Sequence, residues 1–465
     1  MQKKVVRKHS QSRIEEMVQT IRGEIITNVQ AIGTYLPSES DLEKRFKLGN
    51  TSVRKGLEQL VREGLIRKIP RVGNLVVGMP PAEEAIVRLG VYSTTELEMD
   101  LPDLLEKFHQ RYPNVRVETV MIPTSEYAGY IQRHMAEGTL DAAIMNHNTI
   151  RQFSRERRDE LLEPLAPISG QYPFTSEPFT IDGRLLVRPL IFSPLVVCYN
   201  RDHLKELDLR EPAGEWSWNE LMELASQVAV DGSRFGFCFQ LLSRNRWPVF
   251  LLQSGIDFSP DENGEYRLPE KVLTESLSVC RKLVEQTNVF PAMLSGLDSM
   301  AIEWFKDGKV SMIMTTYFSL NQLRQTGIAF DVARLPHSRV NANLLAVIGA
   351  VVSRQSRRKE AAVKLVDFLS GEEAQLAIRS RTLSIPALRE AAEWEGEADV
   401  PHPEHFGIFT DMIPSYRLLE HLKLSAVQLR AIQKQFELYL TGLQDAAAMS
   451  RGMERALSEN RPGGS

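Results

Sequence analysis

The 465-residue sequence predicts an α/β protein of two folding units, a small head of three helices and a hairpin and a large body of alternating strands and helices. Three observations carry this. The chain is too long for one ordinary domain, and its 43% hydrophobic and 25% charged content is that of a soluble globular protein. Charge is divided unevenly, with 15 Lys and Arg against 8 Asp and Glu in residues 1–80, a net of +7, and a net of −11 in the remainder. Between these parts lies Gly78-Met-Pro-Pro-Ala-Glu-Glu84, where two prolines force extended backbone and stop the helical patterns. The expected division is 1–78 for the head, 79–87 for a stiff linker, 88–459 for the body and 460–465 for a disordered tail.

In the head, Ile14, Met17, Val18, Ile21, Ile25 and Ile26 recur with a helical period across residues 12–27. Ser38 is an N-cap candidate for a second helix whose inner face is Leu42 and Phe46. Asn50 or Thr51 opens a third, with Val53, Leu57, Leu60 and Val61 inward and Gly64 as its stop. Two short strands, 65–69 and 74–77, flank a tip at Pro70–Gly73. A basic head on an acidic body points to a polyanion as the partner of the head alone. A base-reading helix needs small polar and basic side chains at its exposed N-terminal end, and Asn50, Thr51, Ser52, Arg54 and Lys55 stand there. Arg71 and Gly73 at the hairpin tip are placed to meet phosphate or the minor groove.

This run resembles the GntR family of winged helix-turn-helix regulators. The resemblance covers about residues 12–78 and is carried by Gly33-Thr-Tyr-Leu-Pro-Ser-Glu39, Leu42, Phe46, Val53-Arg-Lys-Gly-Leu57, Leu60, Glu63-Gly-Leu65 and Gly73. It implies a double-stranded DNA operator contacted by Ser38, Thr51, Ser52, Arg54 and the wing, and a homodimer reading two half-sites. The chain departs from the family pattern at Ser40, where an arginine is usual, at Gly49-Asn50, where Ser-Arg is usual, and at Gly56, where alanine is usual.

In the body, the strand 88–92 precedes an amphipathic helix marked by Leu101, Leu104, Leu105, Phe108 and Tyr112. Strands at 115–120, 195–199 and 310–314 continue a βαβ rhythm, so largely parallel sheets covered by helices are expected. A region of this length is expected to form two lobes. Residues 396–465 read as mostly helical.

Region 88–395 resembles the family of extracellular solute-binding proteins that includes maltose-binding protein. Seven pieces occur in the family's order: Leu101–Glu118, Asp141–Met145, Pro194–Asp202, Trp216–Leu221, Phe305–Met312, Arg334–Pro336 and Glu360–Leu369. The resemblance implies a hinged two-lobed domain that closes on a small-molecule effector, a sugar above all. Candidate polar contacts at strand exits are Ser93, Thr94, Asn146, Asn148 and Ser193, with Met145 beside them. Family sugar binders often carry a carboxylate at the positions of Asn148 and Ser193 and an aromatic at Met145. Trp247, Tyr317 and Phe318 are candidate stacking residues. Trp247 and Tyr317 equally fit a hydrophobic core. Trp218 and Phe305 read as core, and Trp216 and Trp304 are unassigned.

Other functions find no support in the sequence. Cys198, Cys238 and Cys280 are sparse, fit buried thiols and make no disulfide framework. The basic N-terminus has no apolar stretch of the signal-peptide kind, and no run is long enough to span a membrane, so a cytoplasmic protein is expected. Hydrolase, Walker and dinucleotide motifs are missing, and the histidines show no metal-ligand spacing, so no catalytic residue, cofactor or metal is expected. The alternative is the solute-binding component of a transporter.

Overall fold

The computed structural model describes residues 2–26, 29–78, 84–291 and 298–461. Most of the proposed linker, 79–83, and most of the tail, 462–465, lie outside these residues, as does Thr27 at the end of the first helix. The chain divides into two compact units, Met1–Ala85 and Ile86–Ser465.

The first unit holds helices α1 (Gln2–Ile26), α2 (Glu39–Phe46) and α3 (Asn50–Arg62), then the antiparallel strands β1 (Ile66–Ile69) and β2 (Gly73–Val76). Helix α1 begins ten residues before the apolar period does. Met17, Val18, Ile21 and Ile25 bury its inner face against Leu42, Val53, Leu57 and Leu60. Ser38 caps α2, its hydroxyl oxygen accepting from the Asp41 amide at 3.2 Å. Gly64 takes φ +73° just past α3, the left-handed turn that glycine makes without strain. Val61 departs from expectation, since it is 39% exposed rather than inward. Gly56 has a packing reason: a Cβ there would stand 2.1 Å from Met17 Cε, so the methionine end occupies the room an alanine methyl would need.

The second unit holds two large sheets and, among the described residues, two two-stranded ones. The strands of the large sheets are β3 (Ala85–Val91), β4 (Val115–Met121), β5 (Ala142–Asn146), β6 (Arg188–Ser193), β7 (Leu195–Asn200), β8 (Phe235–Cys238), β9 (Val310–Thr316), β10 (Phe330–Arg334), β11 (Ala346–Val352) and β12 (Ile385–Pro386). Lobe 1 is a six-stranded sheet in the order β12-β6-β11-β5-β3-β4, and lobe 2 a four-stranded sheet in the order β8-β9-β7-β10. The expectation of largely parallel sheets is corrected, because both are mixed. β3 pairs parallel with β5 and β8 with β9, whereas β11 is antiparallel to both neighbours and so is β7. The chain crosses to lobe 2 at Ser193-Pro194-Leu195 and returns through residues 335–345. A strand that enters its lobe from the crossing starts at the cleft edge and must run away from it, while strands ending at the cleft run the other way.

Lobe 2 is completed by helices from the C-terminal region. Ala426–Leu440 and Ala446–Glu459 pack on each other and on Glu270–Glu285, burying Leu429, Ile432, Phe436, Met449, Met453 and Leu457. Residues 396–425 hold short 3-10 turns rather than the helices expected there. Trp218, Phe305 and the three cysteines are buried, as read from the sequence. Among the described residues no helix is long and apolar enough to cross a membrane.

Candidate functional sites

On the first unit, Asn50, Thr51, Arg54 and Lys55 project from the first turns of α3 and are exposed, with Ser52 half-buried. The α3 N-terminus has no side-chain cap, and its Ser52 and Val53 amides donate to the Gly49 carbonyl at 2.8 and 3.1 Å. Three of the predicted contact residues have internal partners. Arg54 Nε donates to Glu39 at 2.8 Å, Asn50 donates to Glu43 at 2.6 Å, and the Ser38 hydroxyl donates to Asp41 at 2.6 Å. The Arg54 guanidinium holds the Glu39 carboxyl below the usual carboxylate range. Arg71 sits exposed at the tip with φ +64°, followed by Gly73 at φ +148°. Helix and wing thus present an open surface of hydroxyl, amide and cationic groups with Glu39 behind Arg54.

In the second unit, a cavity of about 520 Å³ opens between the lobes where β3, β5 and β8 end. Ligands of open α/β sheets collect at such strand ends. Lobe 1 contributes Tyr92 after β3, then Thr124, Glu126, Tyr127, Ala128 and Gly129, and Asn146, Asn148, Thr149 and Gln152 after β5. Lobe 2 contributes Arg244 and Asn245. The Asn146 side-chain oxygen caps the helix His147–Ile150, accepting from the Thr149 amide at 2.9 Å. Asn148 reaches across the cavity and donates to the Asn245 side-chain oxygen at 2.7 Å. Arg151 adds a second tie to lobe 2, donating to the Leu424 carbonyl and pairing with Glu420, both at 3.1 Å. Tyr92 and Tyr127 meet edge to face, with ring centroids 5.7 Å apart.

Behind this wall Glu98 is buried and accepts from the Tyr92 hydroxyl and the Thr94 hydroxyl, each at 2.7 Å. Burial pushes its carboxyl above the usual range, and the two hydroxyl donors oppose that shift. The network fixes the Tyr92 ring at the cavity wall. Glu126 and Arg244 bring one charge of each sign, and Arg244 makes no ion pair among the described residues. A cavity of this size with many hydroxyl, amide and charged groups and two aromatic edges can hold a small polar molecule through hydrogen bonds.

Several residues read from the sequence as cleft contacts take other places, and these are corrections. Met145 is fully buried in the core. Ser193 is buried at the crossing, donating to the Pro194 carbonyl at 2.6 Å and accepting from the Tyr317 amide at 2.9 Å. Trp247 is 0% exposed and stacks on Phe436, with centroids 5.4 Å apart at 24°. Tyr317 is buried too, its hydroxyl donating to the Phe406 carbonyl at 2.8 Å, and Phe318 beside it is buried. Met145 and Ser193 lie within buried strands, and Trp247 and Tyr317 are the two rings that the sequence equally fitted to a core. Ser93 is exposed and Thr94 is tied to Glu98, and neither lines the cavity. Asn146 and Asn148 do line it.

The wall residues Tyr92, Thr124, Glu126, Tyr127, Gln152, Arg244 and Asn245 were not singled out in the sequence. Trp247 was, but the cavity residues beside it are Arg244 and Asn245, which precede it. One group with metal-ligand character lies in lobe 2, where Glu211, Asp331 and His405 bring ligand atoms within 4.8 Å of one another. Its atoms already have partners: Arg201 at 2.7 Å and Tyr199 at 2.9 Å on Glu211, and His405 Nδ1 at 2.8 Å on Asp331.

Comparison with known proteins follows the same division. Residues 103–406 match the family described as bacterial extracellular solute-binding protein, and residues 13–76 match bacterial regulatory proteins of the gntR family. Both are non-enzymatic kinds. A protein of Brucella abortus named as a binding protein is 23% identical over 329 residues, covering 68% of this chain and 78% of that protein. The galactooligosaccharide-binding protein of Bacillus subtilis is 23% identical over 224 residues, 46% of this chain and 51% of that protein. Among solved structures, the GacH receptor of Streptomyces glaucescens superposes with a TM-score of 0.68 at 16% identity, covering 81% of this chain and 98% of its own. Maltose-bound MalE3 of T. maritima gives 0.67 at 18% identity, covering 80% and 98%. At these identities the structures establish the fold.

Proposed function

Because this chain belongs to the bacterial extracellular solute-binding protein family and opens with a GntR-family domain, we propose that it is a ligand-responsive transcription regulator whose cleft binds a carbohydrate. The observation that carries the reading is the union, on one chain, of an exposed α3–wing surface bearing Arg54 and Lys55 with a cleft lined by Asn146, Asn148, Asn245 and Arg244. The first surface suits a duplex and the second a polyhydroxylated solute. A DNA-binding head works inside the cell, so the protein is assigned to the cytoplasm and set apart from the exported binding proteins among its relatives. A homodimer follows from the two half-sites that winged helix-turn-helix regulators read.

Oligosaccharides are the effector class this reading favours. Several relatives are named for maltose, maltotriose or galactooligosaccharide binding. Asparagine side chains both donate to and accept from hydroxyls, and the Tyr92 and Tyr127 rings can pack on sugar C–H faces. The test is calorimetry on the full chain with maltotriose and with a galactooligosaccharide. A one-to-one heat with at least one of them, reduced in Asn146→Ala, is expected. Absence of heat from both, with the protein folded, would remove the carbohydrate assignment.

A further inference from the structure

The interlobe cleft leaves a second cavity of lobe 2 without a role. Strand β8 ends toward the cleft, where the chain goes on to Arg244 and Asn245. Its other end, with the start of the parallel strand β9, borders a hollow of about 570 Å³. The walls include Arg234 and Phe235 at the start of β8, Asn288, Trp304 and Lys309 just before β9. Among the described residues, no aspartate or glutamate lines it.

Three side chains define this wall. Arg234 is only 11% exposed, donates from Nε to the Val228 carbonyl at 3.1 Å and pairs through Nη1 with Glu206 at 3.0 Å, which leaves Nη2 buried without a partner. Lys309 is exposed and makes no ion pair among the described residues. Trp304 is half-buried and lies nearly parallel to Phe235, with centroids 6.2 Å apart at 22°. A buried donor without an acceptor is costly, and Lys309, with no acid paired to it among the described residues, adds positive charge beside the Arg234–Glu206 pair.

We propose that this hollow binds a small planar ring compound bearing an anionic group, with the ring against Trp304 and the anion between Arg234 and Lys309. The anion meets the positive charge that Lys309 and the Arg234 guanidinium bring to the wall, and a phosphate or a carboxylate can fill that role. A neutral sugar leaves Lys309 uncompensated, and bare phosphate leaves the indole unused. The site lies at the opposite end of β8 from the effector cleft, so it would take a ligand of its own.

The experiment is calorimetry on the full chain with adenosine 5′-monophosphate and with 4-hydroxybenzoate, and adenosine, phenol and inorganic phosphate as fragments. At least one of the two ring anions is expected to bind one-to-one, with each fragment about tenfold weaker or more. Tighter binding of the nucleotide assigns phosphate as the anion, and tighter binding of the benzoate assigns carboxylate. Lys309→Gln, at an exposed position that leaves folding intact, is expected to weaken binding about tenfold, and Arg234→Gln by more. Trp304→Phe, which keeps a ring against Phe235, should weaken binding less than either. Neither probe binding, affinity unchanged in both Lys309→Gln and Arg234→Gln, or affinity lost in the cleft variant Arg244→Ala would overturn the proposal.

Discussion

Trp247 and Arg244 stand three residues apart, and the structure gives them opposite roles. Trp247 is fully buried against Phe436, while Arg244 is exposed at the cleft. Burying a large aromatic removes about 150–250 Å² from water. At about 25 cal/mol per Å² that is about 4–6 kcal/mol. The Trp247 indole nitrogen has no hydrogen-bond partner, so truncation also removes a buried donor worth about 1–3 kcal/mol in the other direction. Trp247→Ala should therefore cost about 3 kcal/mol, within the usual range for core aromatics. Trp247→Phe keeps the ring stack and discards the unpartnered N–H, so its cost should be about 1 kcal/mol. Arg244→Ala should leave stability within about 0.5 kcal/mol, as expected of an exposed side chain without a partner. The assay is urea unfolding of each variant, with calorimetric titration of whichever oligosaccharide binds the parent protein. The refuting result is Trp247→Ala with unchanged unfolding and lost ligand affinity, which would put the indole in the cleft.

Other substitutions test the rest of the account. Gly236→Ala places a Cβ 1.9 Å from the Ala225 carbonyl oxygen, a backbone atom with no room to yield, and should destabilise lobe 2 by about 3 kcal/mol in urea unfolding. Gly56→Ala meets the flexible end of Met17 and presses on Val18 Cγ2 at 3.3 Å while gaining helix propensity, so the same assay should show a change of less than about 1 kcal/mol. His402 is held down to about 4 by burial and the neighbouring Arg379, against an ordinary 6.5. The unfolded chain takes up that proton first, so stability should fall as pH drops from 6.5 toward 4, and His402→Gln should flatten that part of the urea-midpoint profile. Arg54→Ala should weaken binding to a duplex selected from random sequence by about 1–3 kcal/mol if Arg54 reads a base, measured by gel shift. A uniform loss across sequences with a shallower salt slope would instead assign Arg54 to phosphate.

The parts of the fold legible in the sequence are those set by local pattern. The Met17–Val18–Ile21–Ile25 face of α1, the Ser38 cap and the Gly64 stop each rest on neighbours a turn or two away. Strand direction in the body was not legible, because it follows from where the chain crosses between lobes, and no residue pattern marks the sense of β7 or β11. The cleft was legible as a location and less so as a residue set. Asn146 and Asn148 line the cavity at and just past the end of β5, a strand marked in the sequence by the family resemblance. Tyr92 and Glu126 face the cavity only because their segments fold beside β5, a long-range fact. Trp247 and Tyr317 drew attention because aromatics stack on sugars, but the same rings fill cores. Phe436, 189 residues beyond Trp247, decides between the two and has no local signature.

The central claim is that occupancy of the cleft changes DNA affinity. A ligand does this only if it binds the DNA-competent and incompetent states unequally, and the effect must be reciprocal. The most direct measurement is the dissociation constant of the full chain for its selected duplex, without and with a saturating oligosaccharide whose one-to-one binding and loss in Asn146→Ala have been shown. The account predicts a change of about 5- to 150-fold, and the same factor in oligosaccharide affinity when the duplex is present. Equal duplex affinities with the cleft filled would contradict it.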